Sequence, residues 1–162
     1  MKTLDLSDLT FLIVDDSLYM RKLLRTLLLG YGVRSVNEAD SAQAAMQSIH
    51  GNLPDIILCD WEMPEKSGIA LLDEIRGSKQ KELRFLPFIM VSGHSEKSRV
   101  QQARDHGANH YLVKPISAET LYNRIARTVL TEPDFIESGA YFGPDRRFRD
   151  DENYEGEERR GR

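Results

Sequence analysis

The run Asp55-Ile56-Ile57-Leu58-Cys59-Asp60, preceded by Pro54 and followed by WEMPEKSG (61–68), decides how the rest of the chain is read. Its four central residues are apolar in succession, without polar alternation. That is the pattern of a strand buried on both faces, as in a parallel sheet covered by helices. The segment from Trp61 to Ser67 contains Pro64 and reads as a loop. Ile69 to Arg76 then carries helical spacing until Gly77-Ser78.

Working outward, the same unit repeats. Leu9 to Val14 is a short apolar run ending in Asp15-Asp16. Ser17 can cap a following helix, Leu18, Leu23, Leu24, Leu27 and Leu28 supply its buried face, and Gly30 and Gly32 stop it. Val33 to Ala39 predicts a weaker strand. Asp40 or Ser41 opens a helix with Ala42, Ala45, Met46 and Ile49 inward. Downstream, Leu86 to Val91 predicts a fourth strand, Ser95 to Asp105 a polar helix, and Asn109 to Val113 a fifth strand. Ser117 caps a fifth helix, with Leu121, Tyr122, Ile125 and Val129 inward and Glu119 favourably placed in its first turn. Five strands alternating with five helices over residues 9–130 predict an α/β fold: a doubly wound, five-stranded parallel sheet of the flavodoxin-like order.

Composition sets outer bounds. The 162 residues are 40% hydrophobic and 30% charged, which supports one domain with a remainder. A net charge of −4 argues against a polycation built for nucleic acid, so no DNA partner is expected. The single cysteine, Cys59, excludes a disulfide framework and a zinc site built on paired cysteines. Next to Asp60 but facing the other way along the strand, it reads as a buried structural thiol. MKTLDLSDLT lacks the apolar run of a signal peptide, and no stretch approaches the ~20 apolar residues of a spanning helix, so a cytoplasmic address without membrane insertion is expected.

In doubly wound sheets, ligands bind beyond the carboxyl ends of the strands. Those ends carry Asp15 and Asp16 (first strand), Asp60 (third), Ser92 (fourth) and Lys114 (fifth). Three clustered carboxylates repel unless a cation joins them, and hard oxygen ligands of this kind suit Mg²⁺. Lys114 could neutralise an incoming phosphoryl group from another side, and Asp60 could act as a carboxylate nucleophile giving an aspartyl phosphate.

These residues lie in four segments, LIVDDS (12–17), DIILCDWEMPEKSG (55–68), IMVSG (89–93) and YLVKP (111–115), whose order and spacing resemble the receiver domain of bacterial two-component response regulators of the stand-alone, CheY-like kind. The resemblance covers about residues 9–130. It implies Asp60 as phosphoacceptor and Mg²⁺ held by Asp15, Asp16, Asp60 and the backbone carbonyl of Glu62. Ser92 and Lys114 would contact the phosphoryl group, and Tyr111 would be the aromatic that turns inward on activation. Ser92 stands where the family often has threonine, and both residues supply a hydroxyl. Pro115 after Lys114 resembles the family's loop, including a cis bond. His94, two residues beyond Ser92, reads either as a loop histidine or as a flank that obstructs water. His50, His106 and His110 share no ligand spacing.

The function so implied is a single-domain response regulator of a phosphorelay. It takes a phosphoryl group from a histidine kinase or phosphotransfer protein and signals by phosphorylation-dependent contact with an output protein. It is expected to be a monomer or weak phosphorylation-dependent dimer, with no enzymatic activity beyond its own phosphorylation and dephosphorylation. A haloacid-dehalogenase-type phosphohydrolase would want a DxD at the first strand and room for a cap domain. A flavin-binding protein would want a Ser/Thr/Gly-rich loop where DDSLYMRK stands. A phosphate sink without dedicated output stays open.

The segment after residue 130 is set apart. Thirteen of residues 143–162 are charged, six arginines and seven acids, with only Phe148 and Tyr154 able to pack. Such a composition buries too little surface to offset the entropy of ordering, so residues 131–162 are expected to form a disordered tail beside a receiver domain of residues 1–130. Within it FIESGAYFGPDRRFRD (135–150) alternates aromatics with turn residues and arginines. It could be a solvated extension, a peptide that folds on a partner, or a phosphate-gripping cluster of Arg146, Arg147 and Arg149. The last resembles the arginine-rich segments of receiver-like proteins that bind cyclic di-GMP.

Overall fold

The computed structural model describes residues 4–131, 135–138 and 141–144. Five strands, β1 (Thr10–Val14), β2 (Ser35–Ala39), β3 (Ile56–Asp60), β4 (Phe88–Ser92) and β5 (His110–Val113), form one parallel sheet in the order β2-β1-β3-β4-β5. The helices are α1 (Leu18–Gly30), α2 (Ala42–Gly51), α3 (Gly68–Arg76), a short α4 (Lys81–Arg84), α5 (Lys97–Asp105) and α6 (Ala118–Leu130). The expected flavodoxin-like architecture is therefore present. The one addition inside it is α4, a single turn too short to show a periodicity. No helix among the described residues is long and apolar enough to cross a membrane.

The continuous apolar strands are explained by two cores. Leu12, Val14, Ile57, Cys59, Phe88, Met90 and Tyr111 face α2, α3 and α5. Phe11, Ile13, Ile56, Leu58, Ile89, Val91 and Leu112 face α1 and α6. Alternate residues thus serve opposite layers, and each large side chain so buried stabilises the fold by roughly 1.5–3 kcal/mol. Cys59 lies on the α3 side, buried, and its thiol donates to the Asp60 carbonyl at 3.2 Å. Ser17, Ser41, Ser67 and Ser117 cap α1, α2, α3 and α6, each hydroxyl accepting from a backbone N–H one turn in. Pro115 follows a cis bond from Lys114.

The tail departs from expectation. Phe135–Ser138 and Tyr141–Pro144 form β6 and β7 of an antiparallel hairpin, so the disorder expected from residue 131 onward does not hold for these residues. Phe135, Phe142 and Phe85 form an aromatic trio with centroids 5.1–5.4 Å apart. The Arg84 guanidinium lies 3.8 Å over the Phe142 ring and 3.6 Å from Glu137. Arg76 lies 5.0 Å over Phe135. The hairpin's partners are Arg76, Arg84, Phe85 and Gly107, at the ends of α3 and α4 and ahead of β4 and β5. They belong to the amino edge of the sheet. Composition averaged along the tail could not reveal this, because the surface that receives the rings is made by other parts of the chain. Arg146, Arg147 and Arg149 lie outside the described residues.

Arg76 anchors that edge. It is buried, and its guanidinium donates to the carbonyls of Gly107 (3.0 Å), Arg84 (2.9 Å) and Leu86 (2.7 Å) and to Asn109 Oδ1 (3.0 Å). Burial lowers its pKa to about 9, still a cation at neutral pH.

Candidate functional site

Because all five strands run parallel, the residues that end them meet at one edge. Asp15 follows β1, Asp60 and Ser92 end β3 and β4, and Lys114 follows β5. Ligand atoms of Asp15, Asp16 and Asp60 all lie within 4.8 Å of one another. Asp15 and Asp60 are buried and Asp16 is exposed. Lys114 Nζ donates to Asp60 Oδ1 at 3.1 Å and lies 3.5 Å from Asp15 Oδ2.

The two buried acids are fixed differently. Asp15 Oδ1 accepts from the Ser17 N–H at 2.9 Å, and its main-chain carbonyl accepts from Arg21 at 2.8 Å. Asp15 Oδ2 is buried and accepts no hydrogen bond among the described residues. Lys114 reaches it only as an ion pair at 3.5 Å. An orphaned, buried carboxylate oxygen beside two further carboxylates fits a hard cation. Burial first, and the Asp15 charge second, push the Asp60 pKa up to about 6 against the pull of Lys114. Burial opposes the Lys114 charge, but the hydrogen bond and charge of Asp60, helped by Asp15, outweigh it and raise its pKa. The pocket thus holds more negative charge than its one ammonium balances.

Gly68 belongs to the site although sequence reading assigned it no role. A Cβ there would lie 2.3 Å from the Asp60 carbonyl oxygen, so only glycine lets α3 begin directly against the backbone of β3. Its N–H donates to the Trp61 carbonyl at 2.9 Å.

The remaining expected residues lie on the α5 side. Ser92 is buried, and its hydroxyl accepts from the His94 N–H at 3.1 Å. Tyr111 is already inward: its ring is buried, and its hydroxyl donates to the His94 carbonyl at 2.6 Å. The Glu62 side chain turns toward α5, where it pairs with Arg99 and lies 3.5 Å from His94 Nε2. His94 therefore stands between Glu62 and Glu96 rather than free in the loop. His106 pairs with Asp73 at 2.6 Å, away from the carboxylates. Arg99 escaped sequence reading because a lone arginine on a polar helix carries no signal until its neighbours are known.

A doubly wound parallel sheet with an acidic pocket, a lysine and a buried hydroxyl at its carboxyl edge defines the class: a receiver-type fold. The family described as the response regulator receiver domain matches residues 11–126. The chemotaxis protein CheY of Pseudomonas aeruginosa is 34% identical over 116 residues, 72% of this chain and 92% of that one. The chemotaxis protein CheY-3 of Vibrio cholerae is 34% identical over 118 residues, 73% of this chain and 89% of that one. Among solved structures, Vibrio cholerae CheY4 superposes with a TM-score of 0.68 at 28% identity, covering 74% of this chain and 97% of that one. The receiver domain of NtrX from Brucella abortus gives 0.67 at 30% identity, covering 75% and 98%. The chain belongs to the response regulator receiver family, as a CheY-like member of the two-component signalling proteins. Receiver domains generally bind Mg²⁺ at their acidic pocket, and Asp15, Asp16 and Asp60 supply such a pocket here. The hairpin lies wholly beyond the matched residues.

Proposed function

We propose that this chain is a response regulator whose receiver-domain Asp60 accepts a phosphoryl group from a histidine kinase or phosphotransfer protein, and which signals by contact with an output protein. Asp15, Asp16, Asp60 and the Glu62 backbone carbonyl would hold Mg²⁺, which supplies charge neutralisation for the incoming group. An Asp60 carboxylate oxygen forms the new P–O bond as the P–N bond to the donor imidazole breaks, and the leaving imidazole takes a proton. Lys114 holds the carboxylate in place and offsets charge on the transferred group. Ser92 and Tyr111 report the modification by a shift between two populated arrangements. Beyond acquiring and losing its own phosphoryl group, the chain carries out no reaction.

The observation that carries this reading is the buried Asp60 carboxylate, 3.1 Å from Lys114 and grouped with Asp15 and Asp16. The test is phosphotransfer from a labelled histidine kinase with and without Mg²⁺. Wild type should acquire hydroxylamine-sensitive label only with the metal, and Asp60→Asn should acquire none. Full labelling of that variant would overturn the assignment.

A further inference from the structure

We propose that Arg99 is a positioning residue, and that the Glu62–Arg99 pair is a latch between the phosphoacceptor loop and α5 that must open before Ser92 can turn to a phosphoryl group on Asp60. The inference rests on the receiver reading above.

Both carboxylate oxygens of Glu62 lie 3.4 Å from Ser92 Oγ. A serine hydroxyl has one proton to donate. While Ser92 gives it to Glu62, it cannot give it to a group on Asp60. Glu62 is kept in place from two further directions, by the Arg99 guanidinium and by His94 Nε2 at 3.5 Å. Arg99 is itself clamped, since its guanidinium lies 4.1 Å over the ring of Trp61, the residue after Asp60. Trp61 in turn meets Tyr111 edge-on, with centroids 6.1 Å apart. One arginine therefore touches both residues that follow the phosphoacceptor.

The helix that carries Arg99 has little else to hold its first turn. No side chain caps α5, and only Val100 and Ala103 are buried in it. The pair is half exposed, with Arg99 at 29% and Glu62 at 45%, so it holds weakly enough to be opened. A phosphoryl group on Asp60 brings fresh negative charge toward the Glu62 carboxylate and an acceptor toward Ser92. Both effects expel Glu62 from Ser92. Once Glu62 leaves, Arg99 loses one side of its clamp and α5 is free to shift. The latch is thus closed by the arginine and opened by the modification itself.

The test uses the full chain with Mg²⁺ and beryllofluoride, a phosphoryl mimic, titrated by calorimetry into wild type, Arg99→Ala, Glu62→Gln and the double variant. Each single variant should bind the mimic roughly three- to ten-fold more tightly, and the double variant no more tightly than the better single one. Weaker binding by Arg99→Ala would mean that the arginine contacts the phosphoryl group directly, and the latch would be wrong; additive gains would overturn it equally. A second measurement needs no mimic. Amide hydrogens of residues 97–101 should exchange faster in both single variants than in wild type, and unchanged exchange would refute the latch. If wild type fails to bind beryllofluoride, the Asp60 reading fails, and the exchange result alone decides the latch.

Discussion

Gly107 and Gly143 meet backbone to backbone: a Cβ on Gly143 would lie 2.7 Å from the Gly107 Cα, and one on Gly107 would lie 2.7 Å from the Phe142 carbonyl oxygen. Gly107 also has a φ of +103°, which side chains rarely adopt. Two glycines in register, one before β5 and one in β7, show that the hairpin docks at a defined place. The docking sets the half-buried rings of Phe142 against Arg84 and Phe135 against Arg76 at the edge of the sheet opposite Asp60.

Gly143→Val should therefore undock the hairpin and cost about 1–3 kcal/mol of stability, because the added atoms have no room. Phe142→Ala should cost a similar amount by removing the ring beneath Arg84. Chemical denaturation measures the loss. Phosphotransfer to Asp60 should be unchanged in rate in both variants, since the carboxylate edge is untouched. A large fall in rate would show that the hairpin supports the site after all.

Stability should depend on pH through Asp60. Its pKa in the fold is about 6 against an ordinary 3.8. Between these values the native state binds more protons than the unfolded chain, so stability falls as pH rises through the window and the deficit is complete above it. In chelator at pH 7.5, Asp60→Asn should be more stable than wild type by about 1–3 kcal/mol, and the difference should vanish near pH 4. Thermal unfolding at the two pH values checks it. Equal stabilities at pH 7.5 would show that Lys114 compensates fully.

Removing a carboxylate should weaken metal binding without harming the fold. Asp16 is exposed, so Asp16→Ala should lower Mg²⁺ affinity by about ten-fold or more while the melting temperature holds or rises. Trp61 adjoins Asp60, so its fluorescence can follow the titration. An unchanged affinity would remove Asp16 from the ligand set.

Ser92→Ala should separate modification from response. The variant keeps Asp60, Lys114 and the acids, so it should still accept label. It lacks the hydroxyl that joins Glu62 to the site, so binding of an output partner should rise little on phosphorylation. Capture of partners with and without beryllofluoride compares the two states. A normal response in the variant would break the proposed coupling.

Much of the molecule was legible from local pattern. Unbroken apolar runs such as Ile56 to Cys59 require burial on both faces, and burial on both faces requires helices on both sides. Strand-end acids, the hydroxyl of Ser92 and the amine of Lys114 converge because parallel strands end together, so their approach could be read before any distance was known. Three of the four serine caps were equally visible, since capping is set within one turn of chain. Tertiary structure alone decided the rest. Arg76 faces carbonyls from two separate segments, Arg99 faces Glu62 and Trp61 across a layer, and Phe142 finds Phe85 fifty-seven residues upstream. A charged or aromatic residue carries no mark of its partner when that partner lies far along the chain. The tail shows this most clearly: its composition forecast disorder, whereas residues 135–138 and 141–144 are ordered by a surface that exists only once the sheet and α3 have formed.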